Sequence, residues 1–150
     1  MVRSVKNKHQ DYFEAVLQLR NVSATVMDYV YEEIDRGKVH IAKEVESKHG
    51  IDIYLSDNDF TKALGKKLQL AFGGEFNVTA SLFSKKDGKD IYRLTALFRM
   101  ADFKKDDSVE YNGEQYVVKT MGKDILMQNS KTGKKIHLKY KDMKQVKLAE

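Results

Sequence analysis

The 150 residues suffice for one ordinary domain or two small ones, and 41% hydrophobic against 33% charged residues supply a core under a heavily solvated surface, which excludes disorder throughout. The absence of cysteine excludes disulfides, thiol nucleophiles and thiolate zinc sites. A net charge of +5 favours a polyanionic partner, and with no apolar run long enough for a membrane span or an export signal the sequence reads as cytoplasmic, without a membrane partner.

Residues 1–11 read as a flexible basic start. From Tyr12 to Arg20 the side chains alternate, with Phe13, Ala15, Leu17 and Leu19 on one side, which is the period of a half-buried strand. Ser23 then caps a helix in which Val26, Met27, Val30 and Ile34 recur at three- and four-residue spacing, with Gly37 just past its end. Asp28, Glu32, Glu33 and Asp35 form its wet face. Strands over Val39–Glu46 and Ile51–Leu55 flank a turn at Lys48, His49 and Gly50. Ser56, three residues before Asp59, opens a second helix whose stripe of Phe60, Leu64, Leu68 and Phe72 ends at Gly73 and Gly74, with Lys62, Lys66 and Lys67 opposite it.

Two more alternating segments follow, one carrying Phe76, Val78, Ala80 and Leu82 and the other Tyr92, Leu94, Ala96 and Phe98. Asp87-Gly88 between them is a hairpin turn signal. Residues 12–101 thus predict an α+β domain of order β-α-β-β-α-β-β, an antiparallel-rich sheet covered by two helices. After a short polar linker near residues 102–106, strands are expected at Ser108–Tyr111, Glu114–Lys119, Ile125–Gln128, Lys134–Tyr140 and Lys144–Leu148, punctuated by Asn112-Gly113, Gly122 and Thr132-Gly133. That spacing over residues 102–150 predicts a small SH3-like β-barrel.

Charge is concentrated at the end. Lys131, Lys134, Lys135, Lys139, Lys141, Lys144 and Lys147 are interrupted only by Asp142, a local net charge of +6 that exceeds that of the whole chain. Ammonium groups along one barrel edge suit RNA phosphates, which they meet without reading sequence; a charge run also serves as a solvated surface. Tyr140 inside the run suits base stacking or core packing. Lys85, Lys86, Lys89 and Arg93 around the hairpin tip form a second candidate contact, because a tip can enter an RNA groove.

A catalytic or metal site has less support. His9, His40, His49 and His137 are dispersed, Asp57 and Asp59 lack the rest of a calcium loop, and there is no phosphate-binding loop, dinucleotide fingerprint or nucleophile elbow. The expectation is a non-enzyme without a small-molecule substrate.

Four segments resemble a known family in order and spacing: Gly50-Ile-Asp-Ile-Tyr-Leu-Ser56, Phe72-Gly-Gly-Glu75, Ser81-Leu-Phe-Ser84 with its hairpin, and Asp90-Ile-Tyr-Arg-Leu-Thr95. They are similar to the central region of the large-ribosomal-subunit export adaptor family, first named for nonsense-mediated mRNA decay, and Phe103-Lys-Lys-Asp-Asp-Ser-Val109 resembles the entry to its SH3-like domain. The likeness covers residues 12–148 and is closer to archaeal-type members. It implies a ribosome assembly factor that binds the large ribosomal subunit, through rRNA and ribosomal proteins near the tRNA sites, during late maturation. The family's zinc belongs to an N-terminal region of paired Cys-x-x-Cys motifs, which this chain lacks, so no cofactor is expected here and the chain reads as a piece or a reduced form of a member. Eukaryotic members add a further barrel and a tail with export signals, so export activity does not carry over. The alternative is a protein-interaction scaffold whose barrel grips another assembly factor without touching RNA.

Overall fold

The computed structural model describes residues 10–149, and of Lys86 only the backbone. The expected flexible start lies, up to residue 9, outside the described residues, as does the side chain of Lys86. The chain forms β1 (Ala15–Arg20), α1 (Ala24–Gly37), β2 (Ile41–Ser47), β3 (Gly50–Leu55), α2 (Asn58–Phe72), β4 (Gly74–Lys86) and β5 (Lys89–Met100), then β6 (Ser108–Tyr111), β7 (Glu114–Met121), β8 (Ile125–Asn129), β9 (Lys135–Leu138), a 3₁₀ turn (Tyr140–Gln145) and β10 (Lys147–Leu148). It is a mixed α/β structure with two five-stranded sheets.

The first sheet has the order β2-β3-β1-β5-β4. β1 runs antiparallel to β3 but parallel to β5, from Ala15 opposite Leu94 to Arg20 opposite Arg99, and the other pairs are antiparallel. Alternation selects the buried face. Leu17 and Leu19, Ile53 and Leu55, and Ala96 and Phe98 turn toward Val26, Val30 and Ile34 of α1 and Leu64 and Leu68 of α2. Each of these side chains except Ala96 contributes about 1.5 to 3 kcal/mol by leaving water.

Local chemistry sets the helix ends, with two departures from expectation. Ser23 caps α1 by accepting from Val26 N at 3.3 Å, but the left-handed residue at the other end is Lys38 (φ 54°), while Gly37 lies inside the helix. Gly37 is there for space, since a β-carbon would stand 2.7 Å from the Phe60 ring. At α2 the cap is Asp57, which accepts from Phe60 N at 2.9 Å, whereas the Ser56 hydroxyl accepts from His40 N at 3.0 Å and ties β3 to the start of β2. Glu33, expected on a wet face, is buried between the helices, with its carboxylate 3.0 Å from Lys67 and 2.8 Å from Arg36. Lys67 is therefore an interhelical partner, not a free surface cation.

The second sheet has the order β10-β6-β7-β8-β9. Its inward residues Val109, Tyr116, Val118, Ile125, Met127 and Leu138 form a separate core with Phe103, Tyr140, Met143 and Val146. The expected closed barrel is not found: among the described residues β9 and β10 do not pair and remain as edges. The expected strand over Lys144–Leu148 shrinks to Lys147–Leu148, because Met143 and Val146 reach the core from the 3₁₀ turn and cover the inner face.

The two sheets meet. The residues expected as a linker include Phe103, buried in the second core, and Asp102, which accepts from Asn21 Nδ2 at 2.8 Å while the same nitrogen reaches Met100 O at 3.1 Å. A β-carbon at Gly73 would lie 2.9 Å from Cβ of Met121 and 3.5 Å from the Tyr140 hydroxyl, so the end of α2 closes directly on the second sheet.

Candidate nucleic-acid interface

The lysines of the terminal run are exposed, but the fold distributes them. Lys131 and Lys134 stand in the β8–β9 turn, where Asn129 Oδ1 accepts from the Lys131 and Thr132 amides at 2.9 and 3.0 Å and sets the loop. Lys135 opens β9 opposite Gln128, on the outer face beside His137, and Lys139 caps the 3₁₀ turn that carries Lys141 and Lys144. Lys147 is on the opposite edge, across from Glu110. The run is therefore not a single barrel edge. It follows the β9 edge and then turns beneath the sheet toward β4.

Among the described residues Lys131, Lys134, Lys135, Lys139, Lys141 and Lys144 make no ion pair, whereas Arg20, Arg36, Lys67 and Arg99 each face a carboxylate, Asp52, Glu33, Glu33 and Glu75 respectively. Inside the run, Tyr140 is core rather than a stacking surface. Its hydroxyl donates to Gly122 O at 2.7 Å, and burial pushes its phenol up to about 12, partly offset by a hydrogen bond with the Gly74 backbone.

Lys85 and Lys89 flank the two-residue turn at Asp87 and Gly88, both at positive φ (52° and 78°) as a type I′ turn requires. The hairpin reaches beyond its neighbours, because β5 pairs with β1 only from Leu94 onward. Ser81 to Arg93 thus form a two-stranded arm on which Leu82, Phe83 and Tyr92 are about half exposed, and Lys85 stands 3.8 Å from Asp90. Arg93 is not free at the tip. Its guanidinium lies between two rings, 3.5 Å from the Phe83 centroid and 3.8 Å from that of Phe13, and its Nε donates to Phe13 O at 3.3 Å.

That stack continues across the sheet face opposite the helices. Phe13 meets Tyr54 edge to face at 4.8 Å, and the ammonium of Lys43 sits 4.4 Å over the Tyr54 ring. Lys43 on β2, Tyr54 on β3, Phe13 leading into β1, Arg93 on β5 and Phe83 on β4 therefore form one row of cations and rings, in the order of the strands themselves. Sequence reasoning found only Arg93 of this row. The available signal was an aromatic on the polar side of an alternating strand: Tyr54 beside Asp52, and Phe83 continuing Asn77, Thr79 and Ser81.

A cavity of about 630 Å³ opens where the sheets meet, lined by Asn21, Lys48, His49, Arg99, Asp102 and Lys144 among others. Among the described residues no three His, Asp or Glu side chains are placed to hold a metal, and with no cysteine the thiolate zinc site of the resembled family has no ligands in this chain.

Two sheets, two helices on one face of the first and a lysine-bearing arm define the class of a basic, mixed α/β protein. A family model described as "NMD3, second domain" matches residues 12–100, more than half of the chain, and the chain belongs to the NMD3 family. This is a family of ribosome-associated adaptors, not a known enzyme family, with a role in ribosome biogenesis and a general association with the large ribosomal subunit. No curated protein matches the chain.

Proposed function

We propose that this protein binds the large ribosomal subunit near its tRNA sites during late maturation, by laying unpaired lysines against rRNA phosphates and touching adjacent ribosomal proteins. The observation that carries the reading is the unequal use of cations. Arg20 and Arg99 of the first sheet face carboxylates, and Lys43 and Arg93 lie over aromatic rings, whereas the six lysines crowded between Lys131 and Lys144 have no ion-pair partner among the described residues. Cations without internal partners release counterions most fully when they meet a polyanion. Residues 12–101 and 102–150 act as two modules in this account, the second an opened relative of SH3-like barrels, and the hairpin arm carries Lys85 and Lys89 to a separate contact.

Replacing Lys134, Lys135 and Lys139 together by glutamate tests it. Affinity for purified large subunits should fall more than tenfold at low salt with an unchanged melting temperature; unaltered affinity removes this surface from the account. The alternative, a scaffold whose second sheet grips another assembly factor, would use the arm instead if the partner met Leu82 and Tyr92, which face each other there and are both about half exposed. Excess RNA separates the two, since it displaces the subunit from a phosphate-binding protein but not from a scaffold.

A further inference from the structure

We propose that the sheet face opposite the helices is a stacking platform for unpaired RNA bases, with Phe83 as its outer step. This rests on the RNA-binding reading above and adds to it a second kind of contact, to bases rather than phosphates, at residues remote from the lysine run.

Four observations carry it. The row Lys43–Tyr54–Phe13–Arg93–Phe83 crosses every strand position of the sheet, with successive cation–ring or ring–ring separations of 4.4, 4.8, 3.8 and 3.5 Å. The apolar core lies on the other face, and Phe83 is 53% exposed, so hydrophobic burial does not account for it. One face of the Phe83 ring is occupied by the Arg93 guanidinium, which fixes the plane of the ring. A base added to the free side would extend an existing stack without the cost of ordering a flexible side chain. Finally, the ladder shifts register between Leu82 and Ser84, so Phe83 has no cross-strand partner and stands clear of the pairing.

The chemistry favours single-stranded RNA over an apolar peptide. Rings interleaved with cations suit bases, whose π-faces stack on aromatics and guanidinium planes and whose backbone is anionic. Gln18, Thr95 and Thr79 on this face can donate to and accept from base edges, beside the apolar Val16 and Leu97. A duplex keeps its bases inside its own stack and gains nothing here.

The test measures binding of the full chain to a short unstructured RNA oligonucleotide, to a blunt RNA duplex and to purified large subunits, using Phe83→Ala, Phe83→Trp and the Lys134→Glu/Lys135→Glu variant. Phe83→Ala should weaken oligonucleotide binding at least about fivefold, the scale of one lost stacking contact, with duplex binding and the salt slope unchanged. Phe83→Trp should retain affinity, and its indole, the only one in a chain without tryptophan, should be quenched by the oligonucleotide but not by the duplex. If Phe83→Ala fails to fold, the indole quenching decides alone. Absent quenching and unchanged affinity, with the lysine variant still weakened, overturn the platform and leave the RNA reading standing; if neither variant weakens binding, both fall. Loss of subunit binding by Phe83→Ala with oligonucleotide binding intact also overturns it, because the contact is then to protein.

Discussion

The guanidinium of Arg93 lies 3.5 Å from the ring centroid of Phe83, and its other face covers Phe13 at 3.8 Å. One side chain thereby joins the projecting hairpin to the segment leading into β1, a link that no backbone pairing makes. Arg93→Ala should lower stability by about 1 to 2 kcal/mol, combining two cation–π contacts and the bond to Phe13 O. Arg93→Lys should restore only part, since an ammonium cannot stack on both rings as a plane. Thermal unfolding reads this out, and an unchanged midpoint for Arg93→Ala would mean that the stack contributes nothing to the arm.

Gly65 shows why packing overrides propensity in α2. Alanine is normally favoured over glycine by about 1 kcal/mol inside a helix, yet here a β-carbon would stand 2.1 Å from the Phe76 ring of β4. Gly65→Ala should therefore destabilise by roughly 1 to 3 kcal/mol, the usual cost of overpacking, as measured by denaturant unfolding. Pairing it with Phe76→Leu should recover part of the loss.

Asn21 ties the two sheets together. It adopts the left-handed conformation (φ 56°) and bonds Met100 O and Asp102 Oδ1 with one nitrogen. Asn21→Gly keeps the backbone geometry at little cost and removes only the side-chain bonds. Amide exchange at Met100 to Phe103 should rise by about tenfold, with the core of the first sheet unaffected; unchanged exchange would show that Gly73 against Met121 holds the junction by itself.

Tyr140 makes stability fall at high pH. Burial raises its phenol from 10 to about 12, so the folded state holds the proton more tightly than the unfolded chain does. Its contribution is complete below about pH 10 and is lost as pH rises toward 12. Tyr140→Phe should remove this dependence and cost about 1 kcal/mol at neutral pH, because Gly122 O loses its donor. Unfolding free energies across that pH interval, compared between the two proteins, check the sign.

The elements of the first sheet were largely legible, because alternation, helical stripes and the Asp87-Gly88 turn are local signals, as is the Asn112-Gly113 turn in the second sheet. Partner choice was not: alternation says which face of β1 is buried but not that β5 lies parallel beside it. The buried Glu33 was misread because its partner Lys67 is supplied by another helix. The 3₁₀ turn was missed because its six residues are too few to show a helical stripe, and because Val146 and Leu148 alternate with Gln145 and Lys147 as in a strand. At the candidate site the lysines were visible as composition, while the row from Lys43 to Phe83 exists only once four strands are aligned, and each of its aromatics alone reads as an ordinary strand residue.

The central claim is that lysines without internal partners bind the phosphate surface of the large subunit. The most direct measurement is the salt dependence of affinity for purified large subunits, taken for the natural sequence and for the Lys134→Glu/Lys135→Glu/Lys139→Glu variant. The account predicts a linear fall of log affinity with log salt and a slope shallower by roughly three in the variant. Salt-independent binding, or equal slopes for the two proteins, would contradict it.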